Sequence, residues 1–319
     1  MKEIGGYFGL EQFISNEYHE GLISVNSGRN ALLYILKAKK IKKLYIPYYL
    51  CDSVSDMLKI YDYDFEFYNI DSHFIPKFSR NLAQDEWLYV VNYYGQLTNE
   101  RVLKLKQEFN QIILDNTHAF FQKPIGGIDT IYSCRKFFGV ADGAYISTDS
   151  NIQEKLEFDI SKDRMTHILG RYEKNASDYY NYFQNSDESF KNEKLKYMSK
   201  LTHNILGAVD YERVRRIREE NYEYLRRQLS AYNELELIKP EGAFAYPLYV
   251  KSGIEVRKEL ASKKIYIPTL WPNVLIDAAK GSIDYNYAAN ILPLPCDQRY
   301  SVRDMKYMVS ILRTLVDLE

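Results

Sequence analysis

Three short stretches of this 319-residue chain carry side chains able to do carbonyl chemistry. Lys136, in Ser133-Cys134-Arg135-Lys136, offers a primary amine, which condenses with an aldehyde once it is unprotonated. Asp115, at the head of Asp115-Asn116-Thr117-His118, offers a carboxylate that would keep a neighbouring ring nitrogen protonated, with His118 within reach of the same ring. Ser27-Gly28-Arg29 precedes an apolar periodic stretch and so marks a helix start. Glycine there permits close backbone approach, and the free N–H groups of the first turn attract phosphate. Each residue also has an ordinary reading. Lys136 would be a surface lysine, Asp115 and Ser133 turn caps, His118 a hydrogen-bonded loop residue and Ser27 a plain helix cap.

The elements between these stretches decide whether they meet. Periodicity predicts a helix over Asn30–Lys37, a strand in Leu44–Leu50 ending near Pro47, a helix over Ser53–Tyr61 and a strand over Asp64–Ile70. Trp87–Gly95 is expected as a buried strand closed by glycine, Asn99–Phe109 as a helix, Gln111–Phe120 as a strand running into a loop, and Asp129–Asp149 as two short strands about a glycine turn. This alternation predicts an α/β protein with a mostly parallel central sheet flanked by helices. Ligands meet such sheets beyond the carboxyl ends of the strands, where the Ser27, Asp115 and Lys136 stretches all fall. An amine, a carboxylate and a phosphate cup at one sheet edge form the donor set for pyridoxal 5'-phosphate, with Ser133 adding a hydroxyl. Asn92 and Tyr94, at the end of the Trp87–Gly95 strand, are candidates to line a substrate pocket there.

Beyond Asp149 the chain becomes polar and tyrosine-rich without clear periodicity as far as Lys194, as in a long excursion. Met198–Tyr232 is expected as two helices meeting near Gly207–Tyr211. A second alternation follows: a strand at Ala243–Val250, a helix at Ile254–Lys263, a strand at Lys264–Pro272 and an amphipathic closing helix at Val302–Val316. The expected division is a large domain over 1–205, with its N-terminal arm, and a smaller C-terminal α+β domain over 206–319.

Composition narrows the class of partner. Forty-two basic residues balance 43 acidic ones, so no field favours nucleic acid or an anionic membrane, and a small-molecule substrate is expected. Three scattered cysteines (Cys51, Cys134 and Cys296) make neither a disulfide framework nor a metal site, and they suit a reducing compartment, the cytoplasm. The first residues lack the apolar core of a signal peptide, and no apolar run approaches a membrane span. No GxGxxG follows the first strand, which argues against a nucleotide-binding Rossmann enzyme.

The segments SGRNALLYIL, VNYYGQLTNERVLKL, IILDNTHAFF, YSCRKFFGVADGAYI and LPLPCDQRYSVRDMKYMVSIL resemble, in order and spacing, successive blocks of the DegT/DnrJ family of sugar aminotransferases. The resemblance implies fold type I of the pyridoxal-phosphate transferases, with Lys136 carrying the cofactor as a Schiff base. It also implies Asp115 on the pyridine nitrogen, His118 at the ring or its phenolic oxygen, and Ser27, Gly28, Arg29 and Ser133 around the phosphate. A keto (nucleotide-)sugar acceptor, a glutamate donor and a homodimer follow from the same resemblance. The chain departs from the family pattern at three points. Serine and lysine are three positions apart, with Arg135 beside the lysine as a candidate for a substrate carboxylate or phosphate. Cys51 occupies the place of the aromatic that packs on the cofactor. No clear G-x-N-x-R segment is present to reach a neighbouring subunit. A lyase or dehydratase on the same cofactor, or a binding protein that has kept only the fold, stays open.

Overall fold

The computed structural model describes residues 4–316. The chain runs β1 (Ile23–Val25), α1 (Gly28–Lys39), β2 (Lys43–Pro47), α2 (Asp52–Ile60), β3 (Asp64–Ile70), β4 (Pro76–Lys77), β5 (Glu86–Val91), α3 (Asn99–Phe109), β6 (Ile112–Asp115), β7 (Asp129–Ser133) and β8 (Ala144–Ser147). It continues through α4 (Thr166–Glu173), α5 (Tyr180–Ser189), α6 (Lys200–Leu206), α7 (Tyr211–Leu229), β9 (Tyr246–Tyr249), α8 (Gly253–Ser262), α9 (Val274–Asp277), α10 (Ile283–Asn290), β10 (Ile291–Leu294) and α11 (Val302–Leu315).

Eight strands form the main sheet in the order β1-β8-β7-β6-β5-β2-β3-β4. From β3 through β2, β5, β6 and β7 the pairing is parallel, and β8 runs antiparallel to both β7 and β1. Central strands of a parallel sheet are covered on both faces, and every residue of β6 and β7 is accordingly buried. The register pairs Val91 with Asp115 and Asp115 with Ile131, so β5, β6 and β7 deliver their carboxyl ends to one edge. That edge receives Asn92, Asp115–His118 and Ser133–Lys136 together.

Helix α1 lies across β7 and β8 and buries a continuous run, Asn30–Leu36. A helix apolar on all sides belongs in a core, and each fully buried leucine or isoleucine contributes roughly 1.5–3 kcal/mol. It begins two residues before the expected Asn30, because Ser27 is extended (φ −157°) and its hydroxyl accepts the Asn30 N–H at 3.3 Å.

The C-terminal part pairs β9 with β10 in a two-stranded antiparallel sheet, packed by α7, α8 and α11 around a core of its own. The strand expected at Lys264–Pro272 does not form. Lys264 takes a left-handed φ of 62°, and Pro268 and Pro272 each lack the N–H that a ladder needs. The Asp149–Lys194 excursion instead contains helices α4 and α5, whose tyrosines 172, 180 and 182 are exposed, which explains the missing amphipathic signal. The excursion is tied back to β1 by single bridges from Tyr197 to Val25 and to Phe158. Among the described residues, no helix is long and apolar enough to cross a membrane.

Candidate active site

Strand β6 ends in the carboxylate. Asp115 is buried, its Oδ2 accepting the Tyr89 hydroxyl at 2.7 Å and its Oδ1 the Thr117 backbone N–H at 2.8 Å. Burial raises its pKa against these hydrogen bonds and the nearby Lys136 charge, which both lower it. A buried carboxylate in that condition is suited to receive a cationic N–H donor, since each oxygen keeps a free lone pair.

His118 follows in the next turn and is only 3% exposed. Its imidazole stacks on Phe244 at 4.0 Å with 8° between planes and lies parallel to Trp271 at 5.6 Å. Burial holds it well below the usual histidine range, the Lys136 charge adding to the effect, so the ring is neutral at physiological pH. Its Nδ1 is buried without a hydrogen-bond partner among the described residues, a polar atom waiting for a ligand group.

Strand β7 ends at Ser133, and residues Cys134–Lys136 make one 3-10 turn. Lys136 is exposed at the mouth of the edge, close enough for its charge to act on Asp115, His118 and Cys51. The start of α1 faces the same turn. A Cβ placed on Gly28 would fill the space between them, meeting Ser133 Cβ at 3.7 Å and Thr117 Oγ1 at 4.0 Å. The cradle thus has the first-turn N–H groups of α1 on one side and two hydroxyls on the other, and no acidic residue occupies that first turn. Lysine amine, buried carboxylate, orphaned imidazole nitrogen and hydroxyl-lined cradle fit pyridoxal phosphate group by group.

Other expected residues take different places. Arg29 donates to the Phe190 carbonyl at 3.2 Å, and Arg135 stacks on the Phe190 ring at 4.3 Å while pairing with Asp187 at 3.3 Å. Arg164 lies over the same ring at 4.9 Å, so three guanidiniums gather on the excursion side of the pocket. Asn92 is fully buried and fully engaged: its amide binds Asn116, Gln122 and Leu97, which leaves it in the scaffold beneath the edge and without a free group for substrate. Tyr94 is likewise buried, its hydroxyl 3.3 Å from that of Tyr49, with its ring 5.5 Å from His118. Cys51 precedes α2 half-buried, and burial raises its thiol pKa. No aromatic stands at that position; Trp271 and Phe244 bring aromatic faces from the C-terminal part instead. Sequence reasoning missed Tyr89, Thr117, Phe244 and Trp271. Only Thr117 lay inside a recognisable block, and the other three carry no local signal.

Several solved structures share this architecture. NtdA from Bacillus subtilis, solved with bound cofactor PMP, gives a TM-score of 0.66 at 13% identity over 96% of this chain and 78% of that one. DesI, solved in the presence of its TDP-sugar product, gives 0.63 at 13% over 92% and 79%. A DegT DnrJ EryC1 StrS aminotransferase from Brucella abortus gives 0.62 at 12% over 93% and 86%. The chain has fold type I, the architecture of these aminotransferases. No protein-family model and no curated protein sequence matches it, and at such identities the likeness is one of fold. Within that fold the carboxyl edge of β5, β6 and β7 brings together an amine, a buried carboxylate and an anion cradle. Among the described residues no cluster suited to a metal ion accompanies them.

Proposed function

We propose that this protein is a pyridoxal-phosphate-dependent aminotransferase that aminates a keto sugar, carried on a nucleotide, with glutamate as amino donor. The observation that carries the reading is the meeting of Gly28, Ser133, Asp115 and Lys136 at one sheet edge. Lys136 offers the amine that holds the cofactor aldehyde, and Asp115, oriented by Tyr89 and Thr117, receives the ring N–H. The His118 Nδ1 supplies the hydrogen bond for the ring oxygen, and the Gly28–Ser133–Thr117 cradle takes the phosphate. Ser27 shapes the cradle by capping α1, and Cys51 borders the ring.

Bound in this way, the cofactor supplies a carbonyl for the donor nitrogen and a protonated ring that draws electrons from the reacting carbon. Lys136, once displaced, is the base that moves the proton at that carbon. Arg135, beside Lys136 and held by the exposed Asp187, is the candidate to receive an acidic group of donor or acceptor in exchange for that partner, while Arg164 behind it is already paired with Asp159 and Glu193. The acceptor class follows the sugar chemistry of the structural relatives, DesI and its TDP-sugar product above all. A homodimer is supported by the N-terminal arm, where Tyr7 and Phe8 stand 98% and 96% exposed and so lack any apolar cover within the chain.

The test is spectroscopic. Protein mixed with pyridoxal phosphate is expected to absorb as a lysine Schiff base, lose that band on adding glutamate, and release 2-oxoglutarate. Lys136→Ala is expected to lose the band and the borohydride-trapped adduct, with turnover down roughly 10³-fold or more. Loss of the band without 2-oxoglutarate would favour the lyase reading, and a colourless wild type would favour a binding protein.

A further inference from the structure

Arg218, on α7, is among the most deeply buried side chains of the molecule at 1% exposure, and it makes no ion pair among the described residues. Burial pulls its pKa down to about 10 against the field of Asp297, so it remains a cation. Burying an unpaired guanidinium is costly unless its donors are all used by strong acceptors. Here each of its three nitrogens donates to a group that flanks the candidate site. One terminal nitrogen donates to the Phe137 carbonyl at 3.1 Å, the other to the Ala243 carbonyl at 2.8 Å, and Nε to Gln298 Oε1 at 2.8 Å. Gln298, so oriented, donates its own Nε2 to the same Phe137 carbonyl at 2.7 Å. The guanidinium also lies over the Phe137 ring at 4.4 Å.

Both carbonyls have neighbours that matter. Phe137 follows Lys136 directly, and its carbonyl, held by two donors, fixes the peptide on which the Lys136 turn ends. Ala243 precedes Phe244, whose ring lies on His118. One turn along α7, Asn221 donates to the carbonyls of Cys296 and Tyr300 and so holds the loop that presents Gln298. A single face of α7 therefore governs the lysine turn, the aromatic that backs the imidazole, and the loop that reinforces both.

We propose that Arg218 is a positioning residue, acting through the Phe137 and Ala243 carbonyls to orient the Lys136 amine and the His118–Phe244 stack, with Gln298 as its auxiliary. The proposal rests on reading Lys136 as the cofactor-bearing amine. Small displacements of a reacting group cost up to about a hundredfold in rate, so loss of this pin should register at Lys136 itself.

Three variants test it: Arg218→Met, Arg218→Lys and Gln298→Ala. Borohydride trapping of pyridoxal phosphate on Lys136, followed by peptide mass spectrometry, is expected to slow about tenfold in Arg218→Met and about threefold in Gln298→Ala, with partial recovery in Arg218→Lys. The pH midpoint of the cofactor absorption band should shift in the same order, which a general loss of stability would not produce. Wild-type trapping rates and midpoints in the folded variants would overturn the proposal. Should Arg218→Met fail to fold, an unchanged midpoint in Gln298→Ala overturns it alone. Reductive methylation of Lys136 in cofactor-free protein, referenced to a surface lysine, separates the two ideas. If wild type does not trap the cofactor yet the variants alter methylation at Lys136, the positioning role stands and the cofactor assignment falls.

Discussion

At the carboxyl edge of the main sheet the groups suited to chemistry sit within three residues of a strand end, Asp115 closing β6 and Lys136 following β7, whereas the groups that back and brace them come from distant pieces. Phe244 comes from the segment before β9, Trp271 from the loop before α9, Arg218 from the middle of α7 and Gln298 from the loop before α11. Reactive groups must stand at fixed points on rigid strands, so they leave short motifs. Groups that press on them need only the right size or hydrogen-bond reach, and many sequences satisfy that.

Asp115→Asn, which keeps the shape and removes the charge, is expected to lower single-turnover transamination by roughly 10²–10³-fold, while Tyr89→Phe, which removes one hydrogen bond to it, costs about tenfold. Equal losses in the two would mean that the supporting group matters as much as the strand-end group. Among the backing groups, Phe244→Ala is expected to cost about 2 kcal/mol of stability in denaturant unfolding, less than a full core aromatic because the ring is only partly buried, while leaving the adduct on Lys136 in place. An adduct lost with Phe244 would move that residue into the reacting group.

Away from both regions, a pH effect concerns the segment leading into β1. His19 is buried against Tyr132 and Phe120, with its Nε2–H donating to the Phe120 carbonyl at 2.8 Å. Burial lowers its pKa from 6.5 to about 4, so the folded state holds the ring neutral. Protonation then favours the unfolded chain: stability is complete above pH 6.5 and declines by roughly 1.4 kcal/mol per pH unit as the pH falls towards 4. Melting temperatures from pH 7 to 4.5 should show this slope in wild type, and His19→Gln should flatten it. An unchanged slope would show that the N-terminal anchor does not set acid stability.

Legibility in the sequence followed the same division. The strand and helix alternation of the main sheet and the stretches around Ser27, Asp115 and Lys136 could be read because buried parallel strands and helix caps leave strong local patterns, whereas the short edge strands β1 and β4 left none. Asn92 misled because an amide at a strand end looks the same whether it faces a ligand or, as here, ties β5 to the turn after β6. The strand expected at Lys264–Pro272 misled because alternation does not weigh the left-handed Lys264 or the N–H groups that Pro268 and Pro272 lack. Helices α4 and α5 escaped because exposed tyrosines erased the contrast between their faces. Arg218 stands at helical spacing from Tyr211, Val214, Tyr222 and Leu225, which marks it as the inward arginine of α7, but the charges on either side mask that stripe and nothing local names the carbonyls it would reach.

Gly28 and Ser133 face each other across the cradle, and Gln298 braces the turn that follows, so the pocket draws on early, middle and late parts of the polypeptide. During synthesis, a chain halted after β8 would own both lips of the cradle but lack the guanidinium and amide that hold the Phe137 carbonyl beside Lys136. Cofactor capture should therefore be a late event, with nascent or C-terminally clipped chains remaining empty in the cell and exposed to proteolysis until the last helix has docked.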